Sequence, residues 1–258
     1  MQNRVQLQPA YVLHRRPFQN TSLMVDFLTL DHGRLRLIAK GARREKSRHR
    51  ALLQLFQPVL MSYSGRGEVK TLTGIESGVQ AIQLEGKHLY SGLYVNELLL
   101  RLLQDHAEHR ALYQAYQDTL LALQGGDNME PVLRKFELSL LAELGYGINL
   151  EIDCVSRMPI EASALYRFTP DVGFQQLNAV MEPGEEEYFR GEHLMALREL
   201  QLSEPKPDEP KPDELQPGEP PLEQKEYARA ARRLLRTALS AHLGGRPLHS
   251  RKLFASSA

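Results

Sequence analysis

The sequence lacks the residues from which disulfide frameworks, zinc centres and membrane spans are built. Cys154 is its one cysteine, so neither an intramolecular disulfide nor a four-cysteine zinc site can form. No apolar run reaches the length of about eighteen residues that a membrane helix needs, and the N-terminal stretch has no apolar signal-peptide core. We therefore expect a soluble, cytoplasmic protein from a reducing compartment, with no membrane contact.

Signatures of catalysis are missing as well. The sequence contains no GxxxxGK[ST] phosphate loop, no HExxH zinc helix and no GxSxG nucleophile turn, and its nine histidines are scattered. We therefore predict no catalytic residue, no metal ligand and no cofactor. A nucleic-acid-processing enzyme stays the less favoured alternative, because it would need clustered carboxylates for metal ions.

Charge is present in quantity but is unevenly distributed. The formal net charge is zero, yet the first eighty residues are strongly basic and the remainder is correspondingly acidic. The segment GRLRLIAKGARREKSRHR, residues 33–50, holds eight arginines or lysines and a single acid, Glu45. Such segregation indicates that one half of the chain binds a polyanion and that the other half has different partners.

Short alternating segments between Tyr11 and Ser77 predict β-strands. They read AYVLHRRPF, SLMVDFLTL, RLRLIAKGA, QPVLMSY and EVKTLTGIE, and turn signals separate them. Five strands in so short a stretch favour a small barrel, and we assign it to a domain of residues 1–80.

Helical periodicity replaces this pattern further along the chain. Segments starting at residues 86 and 131 have helical spacing of leucines, as does KEYARAARRLLRTALSAHLGG near the C-terminus. Between the first two, Leu112, Tyr116, Leu120 and Leu123 have the same spacing. We predict an α+β protein with a helical domain of residues 81–147 plus about 222–258. Residues 148–202 are expected to form a small irregular subdomain, and the proline-rich residues 203–221 a linker.

The alternation in Arg34-Leu35-Arg36-Leu37 places the basic side chains on one face of a strand and the leucines in the core. Same-face neighbours lie about 6.7 Å apart, near two phosphate steps of about 3.4 Å, so the strand is a candidate phosphate track. The charged segment beyond it would stay mobile until a polyanion neutralised it. The predicted DNA-binding residues are Arg34, Arg36, Lys40, Arg43, Arg44, Lys46, Arg48, Arg50 and Lys70.

Three separated motifs resemble the bacterial RecO family of recombination mediators. They are TLDHGRLRLIAKGARREKSR, RKFELSLLAELGYG and HLGGRPLHSR, and the likeness extends over nearly the whole chain. The resemblance implies a five-stranded OB-fold barrel followed by a mainly α-helical domain, binding of single- and double-stranded DNA, and strand annealing. It also implies association with RecR and with the acidic C-terminal tail of the single-strand binding protein SSB, so that RecA is loaded at the nucleoid.

The SSB tail ends in acids and an aromatic residue, so it requires an apolar groove beside a cation. The helix that carries Arg134, Lys135, Phe136 and Leu138 offers both, and an ordinary amphipathic bundle helix is the alternative interpretation. Many family members also carry a four-cysteine zinc module after the LGY motif. Only Cys154 stands there, so no zinc is carried over and the fold of residues 148–190 is left open.

Two other functions compete with the mediator hypothesis. The basic segment alone would also suit an RNA-associated OB-fold adaptor, and an enzyme could use such a barrel to hold its substrate. A preference for structured RNA, or a requirement for Mg²⁺, would distinguish these functions from that of a mediator.

Overall fold

The computed structural model describes residues 4–78, 81–177, 188–203 and 222–255. The first elements are β1 (Arg4–Phe18), β2 (Ser22–Thr29), β3 (Gly33–Ala39), α1 (Arg48–Leu52), β4 (Pro58–Ser64) and β5 (Lys70–Ser77). Helices α2 (Gly86–Leu102), α3 (Arg110–Gly125) and α4 (Met129–Glu143) follow. The remaining elements are β6 (Leu165–Thr169), β7 (Gly173–Gln176), β8 (Phe189–Arg190), α5 (Gly191–Leu202), α6 (Leu222–His242) and α7 (Ser250–Ala255). The predicted linker lies outside the described residues, except for Ser203.

Strands β1–β5 close into a barrel in the order β1-β2-β3-β5-β4. The β3–β5 pair is parallel, with Leu37 opposite Lys70, and the other neighbouring strands run antiparallel. This arrangement is that of an OB fold, and it confirms the predicted α+β fold with a five-stranded barrel.

Alternation along β3 fills the barrel as the sequence predicts. Leu35, Leu37 and Ala39 are at most 1% exposed, whereas Arg34, Arg36 and Ile38 are half-buried on the outer face. Apolar side chains from all five strands, among them Val25, Phe27 and Met61, complete the core. Burial of this inward face fixes the register of β3, because a slip of one residue would carry its arginines into the core.

Contacts between residues divide the chain into two compact units. The first contains the barrel, α2, α3 and α7, and the second extends from Asp127 to Pro247. In the first unit the Asn96 amide of α2 donates to the Leu13 carbonyl of β1 at 2.8 Å, and it accepts from the Tyr116 hydroxyl at 2.6 Å. Helices α2 and α3 thus pack on the barrel. Whether residues 1–80 fold independently of these helices is a separate question, and the predicted domain boundary at residue 80 stays a prediction.

Helix α7 belongs to the same unit as the barrel although it lies near the C-terminus. The Glu97 carboxylate of α2 accepts from the backbone amides of His249 and Ser250, each at 2.8 Å. The ring of Phe254 meets the edge of Tyr90 with centroids 6.0 Å apart. These contacts hold the C-terminal segment against α2.

The second unit joins helices α4, α5 and α6 to a small sheet of order β7-β6-β8. Helix α4 begins after Asn128, whose side chain accepts from the Glu130 amide, and Pro131 lies in its first turn, where a missing N–H costs no helical hydrogen bond. Helix α6 buries one face against this unit, including Leu234, Leu235 and Leu239. Helices α4 and α6 lie in segments where the sequence predicts helices, and β6 and β7 lie in the subdomain that the sequence predicts only as irregular.

Candidate nucleic-acid interface

The chain leaves β3 into a basic segment, residues 40–50, that includes the loop after the strand and the first residues of α1; we call this segment the basic loop. Gly41 has a φ of +68°, a left-handed conformation in which glycine has no steric cost. Ala42 is fully buried, so the base of the loop is fixed in the barrel core. The basic side chains of the loop are all exposed; they are Lys40, Arg43, Arg44, Lys46, Arg48 and Arg50, and we call them the loop cations.

The basic loop is anchored to the turn between β1 and β2. The Arg43 amide donates to the Thr21 carbonyl at 2.9 Å, and the Arg43 guanidinium lies 3.4 Å from the Gln19 carbonyl oxygen. Within the part of the chain that the structure describes, the loop cations form no ion pair with a carboxylate. Their charge is therefore available to an external polyanion.

The arginines of β3 are arranged differently, and the predicted phosphate track along this strand is corrected. Arg34 donates to the carboxylate of Asp105 at 2.6 Å and to the Leu100 carbonyl oxygen, and its side chain is only 13% exposed. Arg36 donates to the carboxylate of Asp26 at 2.8 Å. Both charges are balanced within the chain, so we remove Arg34 and Arg36 from the proposed DNA contacts.

Asp26 is on β2, where it lies directly opposite Arg36 of β3 and His14 of β1. Its side chain is 5% exposed, and the imidazole of His14 lies 3.6 Å from the carboxylate. Burial by itself would raise the pKa of Asp26, but the hydrogen bonds from His14 and Arg36, and their charges, outweigh burial and lower that pKa. Asp26 is therefore ionised near neutral pH and neutralises Arg36.

Two further cations adjoin this surface. Lys70, the weakest of the predicted DNA contacts, is half-buried at the start of β5, where it pairs with Leu37. Arg16 was not predicted; it is exposed on β1, and its guanidinium lies 3.1 Å from the Met24 sulfur. The sequence signal that could have identified Arg16 is the pair Arg15-Arg16 just before the β1–β2 turn. In the structure the basic loop is anchored to that turn.

The barrel aromatics do not add a base-stacking surface among the described residues. Tyr11, Phe27, Phe56 and Tyr63 are buried, and Phe18 is half-buried. Tyr11 packs on Tyr113 and Tyr116, with ring centroids 5.3 Å and 5.2 Å away. The surface thus offers charge rather than stacking groups, and charge alone does not read base sequence.

The side chains predicted to hold the SSB tail lie mostly in the core of the second unit. Phe136 and Leu138 are 1% and 2% exposed, because α4 packs against α5 and α6. Arg134 is also buried and donates to Glu137 at 2.8 Å. Lys135 is half-buried and contacts Ser203. The predicted apolar groove beside a cation is therefore not open on α4. Arg134, Phe136 and Leu138 are corrected to core residues of an ordinary packed helix, and Lys135 alone stays a candidate for the tail.

The position of the family's zinc module has a different organisation. The buried carboxylate of Asp153 accepts from the Val155 amide at 2.7 Å, the Ser156 amide at 2.6 Å and the Gln176 amide at 2.5 Å. Burial would raise the pKa of Asp153, but these hydrogen bonds lower it. Among the described residues, no group of three or more metal-binding side chains comes together. The residues at this position do not fit a zinc ion, and a carboxylate fixes the turn instead.

Comparison with known proteins agrees with this geometry. The family model "Recombination protein O N terminal" matches residues 1–78, and "Recombination protein O C terminal" matches residues 83–202. The chain belongs to the RecO family. This membership confirms the resemblance that the three motifs carry.

RecO relatives match over almost their whole length. A protein named DNA repair protein RecO from Coxiella burnetii is 39% identical, over 98% of this chain and 99% of the relative. Those from Salmonella dublin and Cellvibrio japonicus are 42% and 38% identical, over 96% and 97% of this chain and 93% and 97% of the relatives. None of the helices in the described ranges has the length and apolar character needed to cross a bilayer.

Proposed function

We propose that the protein is a non-enzymatic, DNA-binding recombination mediator in DNA repair. In this role it binds single- and double-stranded DNA, anneals complementary strands and helps RecR to load RecA onto SSB-coated single strands. The observation that carries the proposal is that the loop cations are exposed and have no carboxylate partner among the described residues. The name DNA repair protein RecO, borne by relatives of similar length, supports it.

The proposed chemistry is charge neutralisation. Two complementary strands repel one another, and arginines or lysines that displace their counterions lower the free energy of bringing them together. No bond of the substrate is made or broken in this process, so it needs neither a catalytic residue nor a metal ion. Six contacts from the loop cations would give a slope of log K against log salt of about −4 for single strands.

The proposed contacts with RecR and with the SSB tail rest on family membership. In the chain itself, the support for a tail contact on α4 is limited to the cation Lys135, since Phe136 and Leu138 are buried. Binding of a peptide with the sequence of the SSB tail, measured with the intact protein and with Lys135→Glu, would test this part of the proposal.

The DNA-binding proposal is tested by charge reversal on the basic loop. The variant Arg44→Glu/Lys46→Glu changes two exposed loop cations, and Arg4→Glu/Lys87→Glu changes two exposed cations of the same unit outside the loop. Removal of two contacts is expected to flatten the salt slope for fluorescent single-stranded DNA by about 1.4. The control should keep the wild-type slope, and equal slopes for both variants would contradict the proposal.

The same titration discriminates the alternatives. Binding that survives EDTA and produces no cleavage is expected of a mediator, whereas cleavage that depends on Mg²⁺ would favour an enzyme. Tighter binding of structured RNA than of single-stranded DNA would favour the adaptor.

A further inference from the structure

Helix α6 carries four arginines on one face. Arg229, Arg232, Arg233 and Arg236 have the spacing i, i+3, i+4, i+7, and from Tyr227 to His242 the sequence contains no acid. Seven residues of helix span about 10.5 Å, so these guanidinium groups form a short row, which we call the arginine stripe. The apolar residues of α6 are buried on the other side of the helix, which fixes the direction of the stripe.

The two middle arginines of the stripe are held in place. Arg232 donates to the Glu130 carboxylate at 2.5 Å. Arg233 donates to the Tyr188 carbonyl oxygen, and its guanidinium carbon lies 4.3 Å from the centre of the Phe189 ring. These contacts reduce the freedom of two side chains that otherwise sample many rotamers. The stripe is thus partly ordered before any ligand binds.

The two outer arginines carry the available charge. Arg229 and Arg236 are exposed, and neither has a carboxylate partner among the residues that the structure describes. They lie one helical turn outside the ordered pair on either side, so that an anion approaching the stripe meets free guanidinium groups at both ends.

A cavity of about 290 Å³ adjoins the stripe, and its lining includes Tyr188, Arg190, His193, Glu226, Arg229 and Arg233. The Arg190 guanidinium also lies 3.4 Å from the carboxylate of Glu192, a residue that does not line the cavity. Burial lowers the pKa of His193, so the imidazole is neutral near pH 7 and the positive charge of the cavity comes from its arginines. Glu192 balances Arg190, and Glu226 balances one of the other two arginines, so among the described residues one guanidinium charge is left over at the cavity.

We propose that the arginine stripe and its cavity form a second binding surface for a nucleotide backbone, separate from the basic loop, that holds the second strand during annealing. Arginine rather than lysine suits this task, because its planar fork binds phosphate oxygens in pairs. An acidic peptide is the less favoured ligand, since Ala230 is the only aliphatic residue in the lining of the cavity and offers little surface to an apolar side chain. The inference rests on the proposed function, because a second strand is needed only if the protein anneals DNA.

The test compares two double variants with equal changes in charge. Arg229→Glu/Arg236→Glu alters the free ends of the stripe, and Arg157→Glu/Arg246→Glu alters two exposed arginines of the same unit outside α6. Each is assayed for binding of a fluorescent single strand and for annealing of its complement. For the stripe variant we expect annealing to slow by about tenfold or more while first-strand affinity changes less than about twofold, because the loop cations remain. The control variant should anneal like the wild type.

Further arms separate a charge effect from a structural one. The variant Arg229→Lys/Arg236→Lys keeps the charge but not the planar fork, so it should anneal faster than the Glu variant and more slowly than the wild type. Circular dichroism should match the wild type in all variants. Wild-type annealing by the stripe variant would overturn the inference and leave the proposed function intact. Loss of binding to an acidic peptide with unchanged annealing would also overturn it, because the stripe would then be a peptide site. A wild-type protein that binds no DNA would instead refute the proposed function.

Discussion

The Arg36 guanidinium lies 2.8 Å from the Asp26 carboxylate on the neighbouring strand, and the two residues are directly opposite in register. Both arginines of the predicted phosphate track on β3 are thereby neutralised by the protein itself, since Arg34 is bound in the same way by Asp105. The positive surface begins where β3 ends, at Lys40, and continues into the basic loop.

Replacement of Arg36 should therefore affect stability more than DNA affinity. In Arg36→Ala the buried Asp26 carboxylate loses a charged donor, which should lower the free energy of unfolding by about 1 to 3 kcal/mol. Single-stranded DNA affinity should change by less than about twofold, because no phosphate contact is removed. Urea denaturation and a fluorescence titration measure the two quantities, and a tenfold loss of affinity with unchanged stability would restore Arg36 to the DNA-binding set.

The low pKa of Asp26 predicts an acid-dependent stability. A carboxyl group whose pKa is lower in the folded state than its ordinary value of 3.8 stabilises the fold above that value, and the contribution is lost as the pH falls through the folded pKa. The difference in unfolding free energy between wild type and Asp26→Asn should be constant near neutral pH and shrink below about pH 4. Asp153 and Glu97, whose pKa values are also lowered, are present in both proteins and cancel in this difference. A difference that does not change with pH would contradict the assignment.

The turn organised by Asp153 should be independent of metal. Asp153→Ala leaves backbone amides of Val155, Ser156 and Gln176 without their acceptor, and we expect a loss of about 2 kcal/mol or more in unfolding free energy. Cys154→Ser is the adjacent control and should unfold like the wild type. EDTA should not shift the melting temperature of any of the three proteins, and a downward shift in wild type would show that a metal ion takes part.

Gly33 should not tolerate a side chain. Its φ is +59°, and an added Cβ would lie 1.6 Å from the Ala107 carbonyl oxygen. Gly33→Ala should therefore destabilise the fold by about 2 kcal/mol or more, through backbone strain and displacement of the segment that carries Asp105. Gly126→Ala shares the left-handed backbone but meets no atom within 4 Å, so it measures the backbone cost alone. Equal melting temperatures for the two variants would contradict the close approach.

The barrel was predictable because its signal is local. A strand with one face in the core alternates every second residue, as in Arg34-Leu35-Arg36-Leu37, and the turns between strands have characteristic residues. The basic loop was predictable for a similar reason: a run of like charges without apolar residues cannot enter a core. For both features the sequence neighbours determine the outcome.

The corrected residues depend on contacts between distant segments. Asp105 is seventy-one residues from Arg34, and no local pattern connects them. Phe136 and Leu138 have the composition of a binding groove, but their burial depends on where α5 and α6 pack. The arginine stripe was visible as helical spacing in the sequence, yet its role required the cavity and the partners of Arg232 and Arg233.

The loop cations are most directly tested by the salt dependence of single-stranded DNA binding, measured with the wild type, Arg44→Glu/Lys46→Glu and Arg4→Glu/Lys87→Glu. A slope of about −4 for wild type and control, flattened by about 1.4 in the loop variant, is the predicted result. The same slope in all three proteins, with unchanged circular dichroism, would show that the basic loop does not contact the backbone.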